Sequence, residues 1–209
     1  MQHMWRHIQT ITDTYRGDLP LTHFLKGYFK QHPILGSRDR RILSAMAYCW
    51  YRIHKGLAHA ALPYPEAMLA CLTLCDAVTP GMERMLQGLA VPNAQALFVP
   101  DALYSGNTPL SAGITRAEWL NSMRVQPKLF VRIRHQSYVR KALALLLDNG
   151  IEGTAEGNCI ALPNGAPIEK LLPADSYVVQ DASSQATGRW LDAQPGQRWW
   201  DCCSGAGGK

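Results

Sequence analysis

The chain contains 209 residues, of which 47% are hydrophobic and 18% are charged. This composition excludes an intrinsically disordered protein, and the length allows one or two domains with buried cores. The formal net charge is +5, and the basic surplus lies near the start, because residues 1–60 hold nine Lys or Arg against three Asp. Since neutralising phosphates gives affinity that does not depend on sequence, this distribution favours a nucleic-acid partner.

Neither the N-terminal segment nor the cysteines indicate export. Residues 1–7 contain no continuous apolar run, so we expect no signal peptide and no membrane anchor, and we expect a cytoplasmic protein. Cys71 and Cys75 share one face of a helix but lack the two-residue spacing and the second pair of a zinc site. Together with Cys49 they are expected to be core thiols, with no metal site and no disulfide.

Residues 1–123 predict an all-helical domain, because their apolar residues recur at helical spacing. Ser37 is the expected N-cap of a long helix with a continuous apolar stripe. Pro65 suits the first turn of another helix, and Thr115 opens a capping box that starts a short one. Residues 91–113 are rich in Pro and Gly but keep several large apolar side chains, so we expect a packed loop there.

Three arginines, Arg38, Arg40 and Arg41, stand at the start of the long helix. Cations at a helix N-terminus oppose the helix dipole, so they do not serve helix stability, although Asp39 offsets part of the cost. Contact with RNA phosphates is one explanation, and plain surface charge is the other. The sequence leaves both open.

In residues 124–176 the spacing of apolar residues changes from helical to alternating, which predicts a small α/β subdomain. Residues 128–134 alternate between apolar and polar side chains, which is typical of a strand with one buried face. Ser137 is expected to cap a helix that ends at Asn149-Gly150, and residues 158–162 resume as a strand.

The outward face of the first of these strands carries Phe130, Arg132 and Arg134. An aromatic ring beside guanidinium groups is suited to stacking on RNA bases and contacting phosphates. The alternative is an ordinary strand face covered by a helix or by another domain. One strand is thin evidence, and we favour the covered face.

Residues 177–209 predict a short strand at Val178-Val179, a helix over 183–191, a strand over 197–202 and a glycine-rich turn. A strand followed by Asp201 and such a turn is how an open α/β sheet begins a nucleotide or nucleoside pocket. The Walker loop does not fit, because Cys203 stands where glycine is required, and the dinucleotide fingerprint fits only in part. S-adenosylmethionine suits the turn better.

Two motifs in this region carry a family resemblance. Residues 177–185 read Y-V-V-Q-D-A-S-S-Q, and after a helix and Pro195-Gly196 residues 201–209 read D-C-C-S-G-A-G-G-K. In this order and spacing they resemble the Sun/Fmu family of RNA cytosine-5 methyltransferases, whose motifs are V-Q-D-x-[SA]-[SA]-Q and D-x-C-A-A-P-G-G-K. Ser204 and Gly205 replace the two alanines, and Ala206 replaces the proline. Residues 35–41 resemble the corresponding part of the helical NusB-like domain found in bacterial members.

The resemblance implies an α+β protein in three parts. These are an all-α NusB-like RNA-binding bundle over 1–123, an RRM-like α/β subdomain over 124–176, and the truncated start of a Rossmann-like methyltransferase sheet over 177–209. It also implies that S-adenosylmethionine is held by Cys203, Ser204, Gly205, Ala206, Gly207, Gly208 and Lys209.

The implied reaction is methyl transfer to C5 of cytosine in RNA, usually ribosomal RNA. The catalytic cysteines of the family lie downstream of these motifs, so no catalytic residue is assigned in this chain. We expect an N-terminal fragment that is inactive alone. The alternative is a stand-alone NusB-like RNA-binding module without catalysis, and a protein-interaction scaffold is third.

Overall fold

The computed structural model describes residues 2–91, 93–191, 194–200 and 202. The chain divides into two compact units, residues 1–126 and residues 127–209. Each unit has its own hydrophobic core.

The first unit is helical, as the apolar spacing predicted. Its α-helices are α1 (Gln2–Thr14), α2 (Leu21–Gln31), α3 (Ser37–Ile53), α4 (Tyr64–Leu74), α5 (Glu83–Leu86), α6 (Ala94–Leu97) and α7 (Arg116–Ser122). Short 3-10 segments at His54–Ala60, Pro80–Met82 and Pro100–Leu103 connect them. The apolar residues predicted within the 91–113 loop are partly packed, and Phe98 is buried in the core.

Helix α3 provides the centre of this core. Leu43, Met46 and Ile53 are fully buried along one side of it. The prediction of its N-cap was wrong by one residue: Gly36 is the cap, with an extended backbone, and Ser37 is the first helical residue without a capping hydrogen bond. The carbonyl of Gly36 accepts from the amide of Arg40, so the hydrogen-bonding pattern of the helix begins before the serine.

Two other local predictions in this unit are confirmed. Pro65 lies in the first turn of α4, where its missing N–H costs no helical hydrogen bond. Thr115 and Glu118 form the capping box of α7: the Thr115 hydroxyl accepts from the Glu118 amide at 3.2 Å, and the Thr115 amide donates to the Glu118 carboxylate at 2.9 Å. Cys49, Cys71 and Cys75 are buried, as expected of core thiols.

The second unit is built on a four-stranded antiparallel sheet. Its strands are β1 (Leu129–Ile133), β2 (Thr154–Glu156), β3 (Cys159–Leu162) and β4 (Tyr177–Val179), in the order β2-β3-β1-β4. Helix α8 (Val139–Asp148) follows β1, and a single 3-10 turn at Ile168–Lys170 lies between β3 and β4. This is the strand order of a split β-α-β sheet, with the second helix reduced to one turn. With the helical unit, it confirms the α+β class.

The alternation predicted for β1 is confirmed. Val131 and Ile133 are fully buried and pack with Leu146 of α8, while Phe130 and Arg132 point to the other face. Ser137 does not cap the following helix, because it lies within a 3-10 turn, Gln136–Tyr138, that leads directly into α8 without a side-chain cap.

The segment after residue 176 begins in the same sheet. Tyr177–Val179, which the sequence analysis placed in the methyltransferase part, forms β4 and pairs with β1. Helix α9 (Ala182–Trp190) follows, close to the predicted bounds. The strand predicted over 197–202 is not formed in residues 197–200, which have no regular structure. Trp200 is 89% exposed there, since no neighbouring strand covers it.

Candidate nucleic-acid interface

Two of the predicted arginines line an open groove of the first unit. Arg38 and Arg41, in the first turns of α3, are exposed and border a surface cavity of about 350 Å³ together with Thr79 and Gly81. Gly81 lies next to one guanidinium: a Cβ at this position would be in ordinary contact with Nε of Arg38, at 3.7 Å. The arrangement presents two guanidinium groups to an anionic ligand.

The structure adds Arg84 to this group. Arg84 is exposed and lines a neighbouring cavity of about 360 Å³ that Arg38 also borders. Asp39 and Glu83 line the same cavity and reduce its positive potential. We name Arg38, Arg41 and Arg84 the arginine groove. Sequence reasoning missed Arg84, because nothing in a single sequence indicates that the start of α5 lies beside the start of α3.

Arg40 has a different environment from its neighbours. Its Nε donates to the carbonyl of Leu35 at 2.7 Å, its Nη2 donates to the carbonyl of Pro33 at 3.5 Å, and its guanidinium lies 6.0 Å from the centre of the Phe29 ring. These contacts tie the loop before α3 to the helix. The side chain of Arg40 therefore stabilises the entry to α3, while Arg38 and Arg41 remain available to a ligand.

The outer face of the sheet, opposite α8, carries the other predicted residues. Phe130 and Arg132 are half-buried on the inner strand β1, and Arg134, one residue beyond it, is exposed. The register places Phe130 opposite Ala161 and Arg132 opposite Cys159. Since alanine is small, it cannot cover the Phe130 ring from the β3 side.

Arg132 is held in place by the motif that follows β4. Its Nε donates to Oε1 of Gln180 at 2.8 Å, and the backbone carbonyl of Gln180 accepts from Nε2 of Gln185 at 2.8 Å. Gln180 and Gln185 are buried. The first and last residues of the Q-D-x-x-x-Q segment thus connect helix α9 to the guanidinium on β1. This role was not predicted from the sequence.

Asp181 caps helix α9. One carboxylate oxygen accepts from the amide of Ser184 at 3.0 Å and from the hydroxyl of Ser183 at 2.5 Å, and the other accepts from the Ser184 hydroxyl at 3.0 Å. The Ser183 hydroxyl, followed by the Ser184 donors, lowers the pKa of Asp181 to about 2. The aspartate and the two serines of the motif therefore fix the turn from strand to helix.

Two features limit the open part of the sheet face. Glu156 of the edge strand β2 pairs with Cys159, which pairs with Arg132, so an acidic side chain stands two strands, about 10 Å between backbones, from Arg132 on the same face. On the other side, the buried Gln180 and Gln185 show that the start of α9 covers the β4 edge. The face is therefore covered in part by the segment that leads into the chain's own helix. The Gln180 amide donates to the Phe130 carbonyl at 3.1 Å, so Gln180 borders Phe130 on the β4 side, whereas Arg134 is exposed.

The residues predicted to hold S-adenosylmethionine, Cys203, Ser204, Gly205, Ala206, Gly207, Gly208 and Lys209, lie outside the described residues. In the part of the chain that the structure describes, no helix is long and apolar enough to cross a membrane. A search of the same residues finds no group of three or more His, Cys, Asp or Glu that could hold a metal ion.

Comparison with known proteins gives two relatives. Ribosomal RNA small subunit methyltransferase B from Pectobacterium atrosepticum and its counterpart from Pectobacterium carotovorum subsp. carotovorum are each 35% identical to this chain over 91 residues. The chain is related to RNA methyltransferases. The similarity covers 40% of this chain and 21% of each relative, so the chain spans about a fifth of the length of the curated relatives it matches. No family model and no solved structure matches the sequence.

Two surfaces of this chain have the chemistry of a nucleic-acid interface. One surface is the arginine groove of the first unit, and the other is the outer sheet face with Phe130, Arg132 and Arg134. Both surfaces offer guanidinium groups, and the second adds an aromatic ring. Phosphates and unpaired bases are the groups that such surfaces bind.

Proposed function

We propose that this chain provides the RNA-recognition portion of an S-adenosylmethionine-dependent methyltransferase that modifies C5 of a cytosine in ribosomal RNA. The observation that carries the proposal is the similarity to two ribosomal RNA methyltransferases, in a chain that also holds the two Sun/Fmu motifs in order. The arginine groove and the outer sheet face support the RNA part of it.

In this proposal the two surfaces have different tasks. Arg38, Arg41 and Arg84 neutralise phosphates and contribute affinity that does not depend on sequence. Phe130 stacks on an unpaired base, while Arg134 contacts the adjoining phosphate. Arg132 contributes less direct contact, since its Nε already donates to Gln180.

The cofactor part of the proposal depends on residues 203–209. Their glycines allow the backbone to approach a ligand closely, and backbone N–H groups would hold the methionine portion of S-adenosylmethionine, which supplies the methyl group as a sulfonium. No residue of this chain is assigned to the chemical step. In the protein that contains this chain, Gly207→Val should abolish cofactor retention in equilibrium dialysis, because a branched side chain blocks that approach; unchanged retention would contradict the cofactor site.

RNA binding is tested by fluorescence anisotropy with a single-stranded fragment of small-subunit ribosomal RNA at several salt concentrations. Arg38→Gln and Arg41→Gln should each reduce the slope of log K against log salt by about 0.7, the value for one phosphate contact on a single strand. Phe130→Ala should weaken binding by about 1–3 kcal/mol without changing that slope, because stacking carries no charge.

Arg140→Gln is the matched control. Arg140 is exposed on α8, which packs on the opposite side of the sheet from Phe130, and this substitution also removes one positive charge. Arg140→Gln should leave affinity almost unchanged. If it weakens binding as much as Arg38→Gln does, binding is diffuse and the two surfaces are not the interface. RNA binding without cofactor retention in the protein that contains this chain would favour the stand-alone RNA-binding module.

A further inference from the structure

A cluster of three thiols in the first unit has no place in the proposed RNA interface. Cys49 lies on α3, Cys71 on α4 and Cys75 immediately after α4, and all three are buried. Cys75 differs from the others because it lines a surface cavity of about 480 Å³, which Asn121 and Arg124 also border. Of the three sulfur atoms, it has the direct route to solvent.

Two guanidinium groups surround this thiol. The Arg52 guanidinium donates a hydrogen bond to the side-chain oxygen of Gln126, which lines the same cavity, and its charge lowers the pKa of Cys75. Arg124 is anchored beside it, since its Nε donates to the carbonyl of Leu74 at 3.1 Å. Among the described residues, neither arginine lies within ion-pair distance of a carboxylate, although Asp76 lines the same cavity. A thiolate at Cys75 would therefore lie near two guanidinium groups that have no ion-pair partner among the described residues.

Cys49 completes the arrangement. Its thiol lies near that of Cys75, on a helix that packs against α4. The neighbouring Cys49 thiol and the two arginines lower the pKa of Cys75, although its burial acts in the opposite direction. Burial raises the pKa of the neighbouring Cys71, which has no guanidinium partner. Cys75 is thus the cysteine of the cluster that combines an opening to solvent with neighbouring guanidinium groups, the environment that favours a reactive thiolate.

We propose that Cys75 is an oxidation site that reacts with a hydroperoxide and then forms a disulfide with Cys49. The Cys75 thiolate attacks one peroxide oxygen, so that an S–O bond forms, the O–O bond breaks, and hydroxide leaves and takes up a proton as water. The Cys49 sulfur then displaces the hydroxyl of the resulting sulfenic acid. An S–S bond forms, the S–O bond breaks, and the Cys49 proton leaves with the hydroxyl group as a second water.

The bond would join α3 to the end of α4. The two cysteines lie near each other on elements that pack together, so a disulfide would link α3 to the end of α4 at an existing contact. The peroxide is small enough for the cavity, and the uncompensated guanidinium groups favour the negative charge that develops on its leaving oxygen.

The test treats the reduced chain with increasing hydrogen peroxide, blocks the remaining thiols and identifies disulfides by peptide mass mapping without reduction. The expected result is a Cys49–Cys75 disulfide that appears while Cys71 is still reduced. Substituting Cys49→Ala removes the second thiol, so Cys75 should then accumulate as a sulfenic acid that dimedone captures. Cys71→Ala, also a buried cysteine of the cluster, is the matched control and should leave the Cys49–Cys75 bond intact.

The arginines provide an independent readout. Arg52→Gln or Arg124→Gln should slow formation of the disulfide about three- to tenfold, because loss of either charge raises the pKa of Cys75 and reduces the thiolate fraction. Arg140→Gln should leave the rate unchanged, and circular dichroism verifies that each variant is folded. The proposal is overturned if Cys71 oxidises as fast as Cys75, if no Cys49–Cys75 disulfide forms after the exposed Cys202 is oxidised, or if both arginine variants react at the original rate.

Discussion

Gly56 is a position at which the buried packing of the first unit leaves no space for a side chain. A Cβ built there would lie 2.4 Å from Cε2 and 2.7 Å from Cδ2 of the Phe98 ring, whereas ordinary contact begins at 3.4 Å. In Gly56→Ala the ring must therefore withdraw by about 1 Å. Phe98 is buried, and the Arg124 guanidinium lies 5.5 Å from its ring centre. Forcing extra volume into such a core costs about 1–3 kcal/mol.

Gly27→Ala is the matched control for this prediction. Gly27 lies inside α2, and no atom lies within 4 Å of the position that its Cβ would take. Alanine in a helix interior should raise the free energy of unfolding by about 0.5–1 kcal/mol. Hydrogen exchange of the α3 amides in both variants measures the stability of the first unit. Equal stability of the two variants, or a more stable Gly56→Ala, would refute the packing argument.

Three further predictions concern the cap of α9, a histidine and the second core. Asp181→Ala should reduce hydrogen-exchange protection of α9 at neutral pH. Because the folded pKa of Asp181 is about 2 and its ordinary value is 3.8, the same protection should fade in the parent as pH falls from about 4 towards 2. The pKa of His7 is lowered by burial and then by the charge of His32, so the unfolded chain binds a proton at higher pH than the folded chain does. The stability of the first unit should therefore fall as pH drops below 6.5. Urea titrations should show a weaker pH dependence in His7→Gln. Leu146→Ala should cost about 2–5 kcal/mol, read from the exchange of the β1 amides, because Leu146 is fully buried; a loss below 1 kcal/mol would contradict its place in the core.

Sequence predictions were correct where the structural feature depends on residues that are close together in the chain. The capping box of Thr115 and the alternation of β1 depend on neighbouring residues alone, and both are confirmed. The cap at Ser37 failed because the adjacent Gly36 takes the extended conformation that a cap requires. β2 was missed because all three of its side chains are exposed and carry no apolar pattern. The two-residue Gly157-Asn158 turn after it, with φ +57° at Gly157, was the available signal.

The candidate interface was predictable only as a list of residue types. Arg40 and Arg41 are neighbours in sequence, but successive residues on a helix differ by about 100° in direction, so one ties down the loop before α3 and the other faces the groove. Arg84 joins the groove through tertiary packing that no spacing rule describes. Gln180 was recognised as part of a motif, whereas its hydrogen bond to Arg132 required the strand register.

The connection between Gln180, Gln185 and the sheet makes α9 a spacer of defined length. Its first turn is anchored by two hydrogen-bonded glutamines and by the Asp181 cap, so the helix cannot pivot freely at that end. Nine residues at 1.5 Å each give a span of about 13 Å. The chain that follows Trp190 therefore begins at a fixed distance from the aromatic ring of Phe130. Inserting or deleting a helical turn would change the distance between a bound base and that attachment point without altering either end.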